Sequence, residues 1–118
     1  HLTSCYKDLW QIQIKEIAAI AEKEKLAGNQ VIIAGDHNQT KEVINSIEEF
    51  KSLRLQSSNP KSLPTCPTCQ TFGFISPKAI DHIFIPLEWG IIETKFGEFG
   101  SDHRWMSVNV SLDKNEEQ

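Results

Sequence analysis

At 118 residues the chain is one domain at most, and long enough to bury a core. Its 12 Lys and Arg against 16 Asp and Glu leave a net charge of −4, which argues against a nucleic-acid coat built on basic clusters. Apolar content is ordinary at 39 %, and no apolar run is long enough to cross a bilayer. Three cysteines, an odd number, fit a reducing, cytoplasmic setting better than a disulfide framework. No secretory signal opens the chain, although a processed chain would show none.

His1 and Leu2 read as the end of an element. From Tyr6 to about Leu26 the pattern is helical: Trp10, Ile14, Ile17 and Ala21 form one apolar stripe, and Gly28-Asn29 is a stop signal. Val31–Ala34 is apolar at every position and reads as a strand buried on both faces. Thr40 can cap a second helix, with Glu42 in its first turn and Val43, Ile44, Ile47 and Phe50 as its apolar face. Leu53 to Thr71 is rich in Ser, Pro and Asn and reads as loop. Ala79–Ile85, closed by Pro86, and Trp89–Phe96 read as strands. Gly97–Gly100 is a flexible approach to Ser101-Asp102-His103. In the last strand Met106, Val108, Val110 and Leu112 face one way, and Ser107, Asn109 and Ser111 the other. Asp113–Gln118 is a charged tail expected to fray.

This order predicts an α/β or α+β domain over residues 1–112, a mixed β-sheet with helices on one face. Two helices do not cover both sides of strands as apolar as Val31–Ala34 and Ile80–Ile85. A further layer is therefore expected, from another segment, another chain or a second copy.

Three polar groups fall at strand ends. Val31-Ile32-Ile33-Ala34 runs out into Gly35-Asp36-His37-Asn38, Asp81 sits inside an apolar strand, and Asp102-His103 precedes the last one. Each also reads as an ordinary turn, since Gly, Asp, Asn and Ser are turn residues. A carboxylate inside an apolar strand is costly unless paired, and a histidine is a natural partner for Asp81. His103 backed by Asp81 would hold a fixed tautomer and serve as an acid/base or as a positive clamp on a phosphate. Asp36 would orient a water or approach a metal, Asn38 would donate to a phosphoryl oxygen, and Asp102 would reach a divalent cation.

Gly35-Asp36-His37-Asn38, Ile80-Asp81-His82-Ile83-Phe84 and Ser101-Asp102-His103, in this order, resemble the closing motifs of the endonuclease/exonuclease/phosphatase superfamily, the deoxyribonuclease I-like phosphoesterases. His1-Leu2 and a following helix with Gln11 and Gln13 resemble the same family's strand end and helix. The likeness spans about His1 to Leu112. It implies one half of a four-layer α/β sandwich and a hydrolase dependent on Mg²⁺ or Mn²⁺. Asp36 would match the aspartate that orients the attacking water and lies near the metal, and Asn38 the asparagine on the phosphate. Asp81 would match the brace of the catalytic histidine, Asp102 the metal-side aspartate, and His103 the histidine at the scissile phosphate. His1 would match a second histidine used in some branches, and equally reads as a tag remnant.

The family's first half carries an asparagine and a magnesium-binding glutamate that nothing upstream of His1 supplies here. The resemblance thus implies the C-terminal part of a catalytic domain, inactive alone, whose partner is the other half or a second copy. Its substrate would be a phosphoester: nucleic acid, phosphorylated small molecule or lipid. His37 and Trp105 depart from the usual pattern and leave the substrate class open. The rival reading is a non-catalytic half-domain that pairs and binds. Cys66-Pro67-Thr68-Cys69 reads first as two thiols in a proline-bearing loop. Zinc is the next reading, completed by Cys5 and a histidine.

Overall fold

The computed structural model describes residues 9–98 and 100–112. The first helix, α1 (Leu9–Leu26), buries Ile14, Ala18 and Ala21, with Trp10 and Ile17 packed at their flank. The predicted start at Tyr6 lies outside the described residues. The helix stops where Gly28 takes a φ of +91°, a conformation that costs glycine little.

The next strand, β1, is Ile33–Asp36, two residues later than the apolar run suggests. It pairs antiparallel with β5 (Asp81–Pro86), matching Ile33 to Phe84, Ala34 to Ile83, Gly35 to His82 and Asp36 to Asp81. Carried back along that register, Val31 would face Pro86, which has no N–H to complete the ladder. Asp36 therefore lies within the strand and not beyond it.

Between these strands the predicted second helix forms as two short ones, α2 (Lys41–Asn45) and α3 (Glu48–Lys51). Thr40 caps α2 through its side chain, as expected. The break has a packing reason. Ile44 and Phe50 are both buried, yet six residues of unbroken helix would set them about 240° apart. Extended backbone at Ile47 realigns the chain so that both reach the core.

Leu53–Thr71 contains a strand that loop composition hid: β2 (Leu55–Ser57) pairs antiparallel with the other side of β5. The sheet order is β1-β5-β2, so β1 and β2 run parallel on either side of a central β5, linked by the helical crossover. A small hairpin follows, β3 (Gln70–Thr71) with β4 (Phe74–Ile75). The last two strands, β6 (Gly90–Glu98) and β7 (Arg104–Ser111), make a separate hairpin. The fold is thus α plus β, but every ladder is antiparallel and the strands do not form the single mixed sheet expected.

The core lies between the helices and one side of the sheet, where Ile14, Ile44, Phe50, Leu53 and Phe84 meet. Burying an aromatic ring such as Phe84 is worth roughly 1.5–3 kcal/mol. Val31 and Ile33 face these helices; Ile32 and Ala34, on the other side of β1, are exposed. The expectation that Val31–Ala34 is buried on both faces fails on this second side.

Candidate functional site

Side-chain alternation along β1 and β5 separates two sets of residues. His82 and Phe84 point toward the helices, and Asp81 points the other way. Asp36 and Asp81 occupy directly opposed positions on antiparallel neighbours. Two carboxylates so placed repel unless a cation or a proton lies between or beside them.

His103 supplies the neighbouring charge. It sits on the connection between β6 and β7, and its Nδ1 lies 2.7 Å from Asp81 Oδ2. The Nδ1–H donates to the carboxylate, which fixes the tautomer and leaves Nε2 for chemistry. That bond is the main reason the His103 pKa is raised above its ordinary value; its modest burial works the other way. Asp36, Asp81 and His103 each offer one ligand atom, all within 4.8 Å of one another. Asp36 and Asp81 border a depression that is also lined by Ala34, Ile83, Arg104 and Met106.

At the end of β1 the chain turns tightly. Asp36 Oδ1 accepts the backbone N–H of Asn38 at 2.9 Å, and Asn38 takes a φ of +55°. Asparagine tolerates that left-handed conformation better than most residues. The turn reading and the site reading of this stretch are therefore compatible: the turn places Asn38 two residues beyond Asp36. Gly35 carries a φ of +147°, and a Cβ there would meet open space, so backbone conformation and not crowding calls for glycine.

One expected member stands apart, and another is not among the described residues. Asp102 is exposed, 3.4 Å from the Ser101 hydroxyl, and does not belong to the group that Asp36, Asp81 and His103 form. His1 lies outside the described residues, as do Cys5 and the Asp113–Gln118 tail.

Sequence reading missed three residues. Thr65 is fully buried, and its hydroxyl oxygen accepts the N–H of Ile80 at 3.1 Å and of Asp81 at 3.0 Å. Its carbonyl accepts the N–H of Arg104 at 2.7 Å. Thr65 thus ties the strand bearing Asp81 to the segment bearing His103. Nothing in a loop-like composition marks it. His37 and His82 are the other two, both almost completely buried on the helix side. His37 Nδ1 donates to Gly35 O at 2.8 Å, and His82 Nε2 donates to Gln39 O at 2.7 Å. Their rings lie 5.3 Å apart and both approach Phe84. Burial pushes the His37 pKa down to about 4 and lowers that of His82, so both are neutral at physiological pH. The parity of position 82 with Ile80 and Phe84 was the available signal.

Cys66 and Cys69 are joined by a disulfide, which corrects the reading of that pair as two free thiols. Trp105 stands opposite Gly97 on the β6–β7 hairpin, its ring over the glycine so closely that a Cβ there would come within 2.2 Å of it. No helix among the described residues is long and apolar enough to cross a membrane. Comparison with protein-family models, curated proteins and solved structures finds no match.

Proposed function

We propose that this chain carries part of the active site of a divalent-metal-dependent phosphoester hydrolase, the C-terminal half of a deoxyribonuclease I-like sandwich. The observation that supports it best is the convergence of Asp36, Asp81 and His103 within 4.8 Å. Two opposed carboxylates suit a hard divalent ion such as Mg²⁺ or Mn²⁺, with the imidazole beside them free to contact the phosphate. When bound, that ion would polarise the phosphoryl group and stabilise the leaving oxygen. Asp36 orients the attacking water and accepts its proton. Asp81 holds His103 so that Nε2 meets a phosphoryl oxygen, and the same carboxylate favours the charged form of the ring, which suits a positive clamp. Asn38 adds an amide donor to the same oxygens, and Asp102 stands at the rim as a further carboxylate. The exposed side of β1, with Ile32 and Ala34, is where the other half of the sandwich would lie.

The test is Mg²⁺- or Mn²⁺-dependent hydrolysis of bis(4-nitrophenyl) phosphate and 4-nitrophenyl phosphate by the full-length gene product. Turnover that Asp36→Ala and His103→Ala each lower by about a hundredfold or more supports the assignment. Near-normal turnover in either variant removes it. The same exposed face favours the second reading, a non-catalytic half-domain that pairs with a copy or partner. A full-length product that sediments as a dimer and hydrolyses neither ester with either metal would favour that reading.

A further inference from the structure

His103 belongs to a second group as well. The sulfurs of Cys66 and Cys69 and a ring nitrogen of His103 all lie within 4.8 Å of one another. The Cys-Pro-Thr-Cys spacing is one that zinc-binding loops use. The loop is fixed beside His103 by bonds that do not involve the sulfurs. Cys66 exchanges backbone bonds with Lys78 at 2.9 and 3.0 Å, and the Arg104 N–H reaches Thr65 O. The Asp81 carboxylate on Nδ1 is the kind of outer partner that metal-ligating histidines carry, and it leaves Nε2 for an ion. Pro67, Thr68, Ser101 and Asp102 border an open hollow next to His103, with room for a fourth ligand from solvent.

We propose that the reduced chain binds one zinc-class divalent cation through Cys66 Sγ, Cys69 Sγ and His103, and that the Cys66–Cys69 disulfide closes this site. Opening requires a dithiol reductant. It gives two electrons and two protons to the S–S bond and leaves as its own disulfide, while Cys66 and Cys69 become thiols. The half-buried Cys69 is the sulfur open to attack, since Cys66 is 2 % exposed. The cation then displaces both thiol protons to solvent and forms two metal–sulfur bonds, with His103 as the neutral third ligand. Thiolates select zinc over magnesium. A tetrahedral site with Zn–S of about 2.3 Å holds its sulfurs about 3.8 Å apart, reached by side-chain rotation around the retained Cys69 N–H to Cys66 O turn. This site does not depend on the proposed hydrolase. It does compete with it, since one imidazole serves both groups.

The experiment compares zinc uptake by the full chain in two states: as the disulfide, and after dithiol reduction with the reductant removed under argon. Uptake is read against a chromogenic chelator. Reduction should add one zinc per chain, and Cys69→Ser and His103→Ala should each weaken that added zinc at least tenfold. Co²⁺ gives a readout on the unmutated chain: the reduced form should show thiolate-to-cobalt charge-transfer absorption that the oxidised form lacks. Equal zinc uptake in both states, or no such absorption, overturns the proposal. So does added zinc that survives Cys69→Ser and is lost in Asp36→Ala, which would place the ion among the carboxylates.

Discussion

The hydroxyl oxygen of the fully buried Thr65 accepts the backbone N–H of Asp81 at 3.0 Å. A loop residue thereby fixes the height of a carboxylate on the central strand, and through its carbonyl the position of the segment carrying His103. Thr65→Val keeps the shape and removes the acceptor, leaving the buried N–H of Ile80 and the partly buried N–H of Asp81 without that partner. The expected loss is roughly 1–3 kcal/mol of stability, read as a lower urea midpoint, with Thr65→Ser restoring most of it. An unchanged midpoint in the valine variant would show that the hydroxyl does not hold Asp81.

Asp81→Asn removes the charge that holds the proton on His103. The His103 pKa should then fall from its raised value toward that of an ordinary histidine, measured by following its ring protons by NMR across pH. A pKa that stays raised would assign the shift to Asp36 and Asp102 instead.

Stability should fall on acidification below pH 6.5. Above pH 6.5, the ordinary histidine value, His37 and His82 are neutral in both folded and unfolded chains and cost nothing. Below it the unfolded chain takes up protons that the folded interior refuses. For His37 this continues down to its folded pKa of about 4, a loss of roughly 3 kcal/mol over that span. His82 adds to it in the same direction. His103, with its raised pKa, contributes stability that is complete below 6.5 and is lost as pH rises through its folded value, so it does not offset the acid loss. Urea midpoints at pH 7 and pH 4.5 should differ clearly, the acid one lower; equal midpoints would mean that the two rings are hydrated.

Gly97→Ala forces the Trp105 ring off its cross-strand seat. Overpacking of this kind costs about 1–3 kcal/mol, less here because Trp105 is half exposed and can swing outward. A shifted tryptophan emission with retained circular dichroism would match; an emission unchanged from the parent would not.

The first helix was legible because its apolar spacing is regular, and Ile14 and Ala21 are buried as that spacing requires. The second was legible in place and cap but not in its break, which lets both Ile44 and Phe50 reach the core. The final strand was legible for the same reason at period two. The ladder was not. Loop-like Ser and Asn concealed β2, and Pro86 shifted β1 along the chain. Asp81 with His103 could be paired from chemistry alone, because a carboxylate in an apolar strand needs a partner. Thr65 could not, since a buried hydroxyl that serves two distant N–H groups leaves no local pattern. Nor could the separate placement of Asp102, which depends on how the turn between β6 and β7 points neighbouring side chains apart.

The alternation of β1 and β5 works like a reading frame. In the observed frame the carboxylates of Asp36 and Asp81 share the open side, while His82 and Phe84 share the interior. A slip of one residue in β5 would exchange its two sets, carrying Asp81 into the apolar core and Phe84 into water, and a slip in β1 would carry Asp36 inward and Ile33 outward. Core and site are thus spelled by the same letters. A single insertion within Ile33–Asp36 or Asp81–Pro86 scrambles both at once, whereas the exposed Phe72-Gly73 tip of the small hairpin has no such frame to lose.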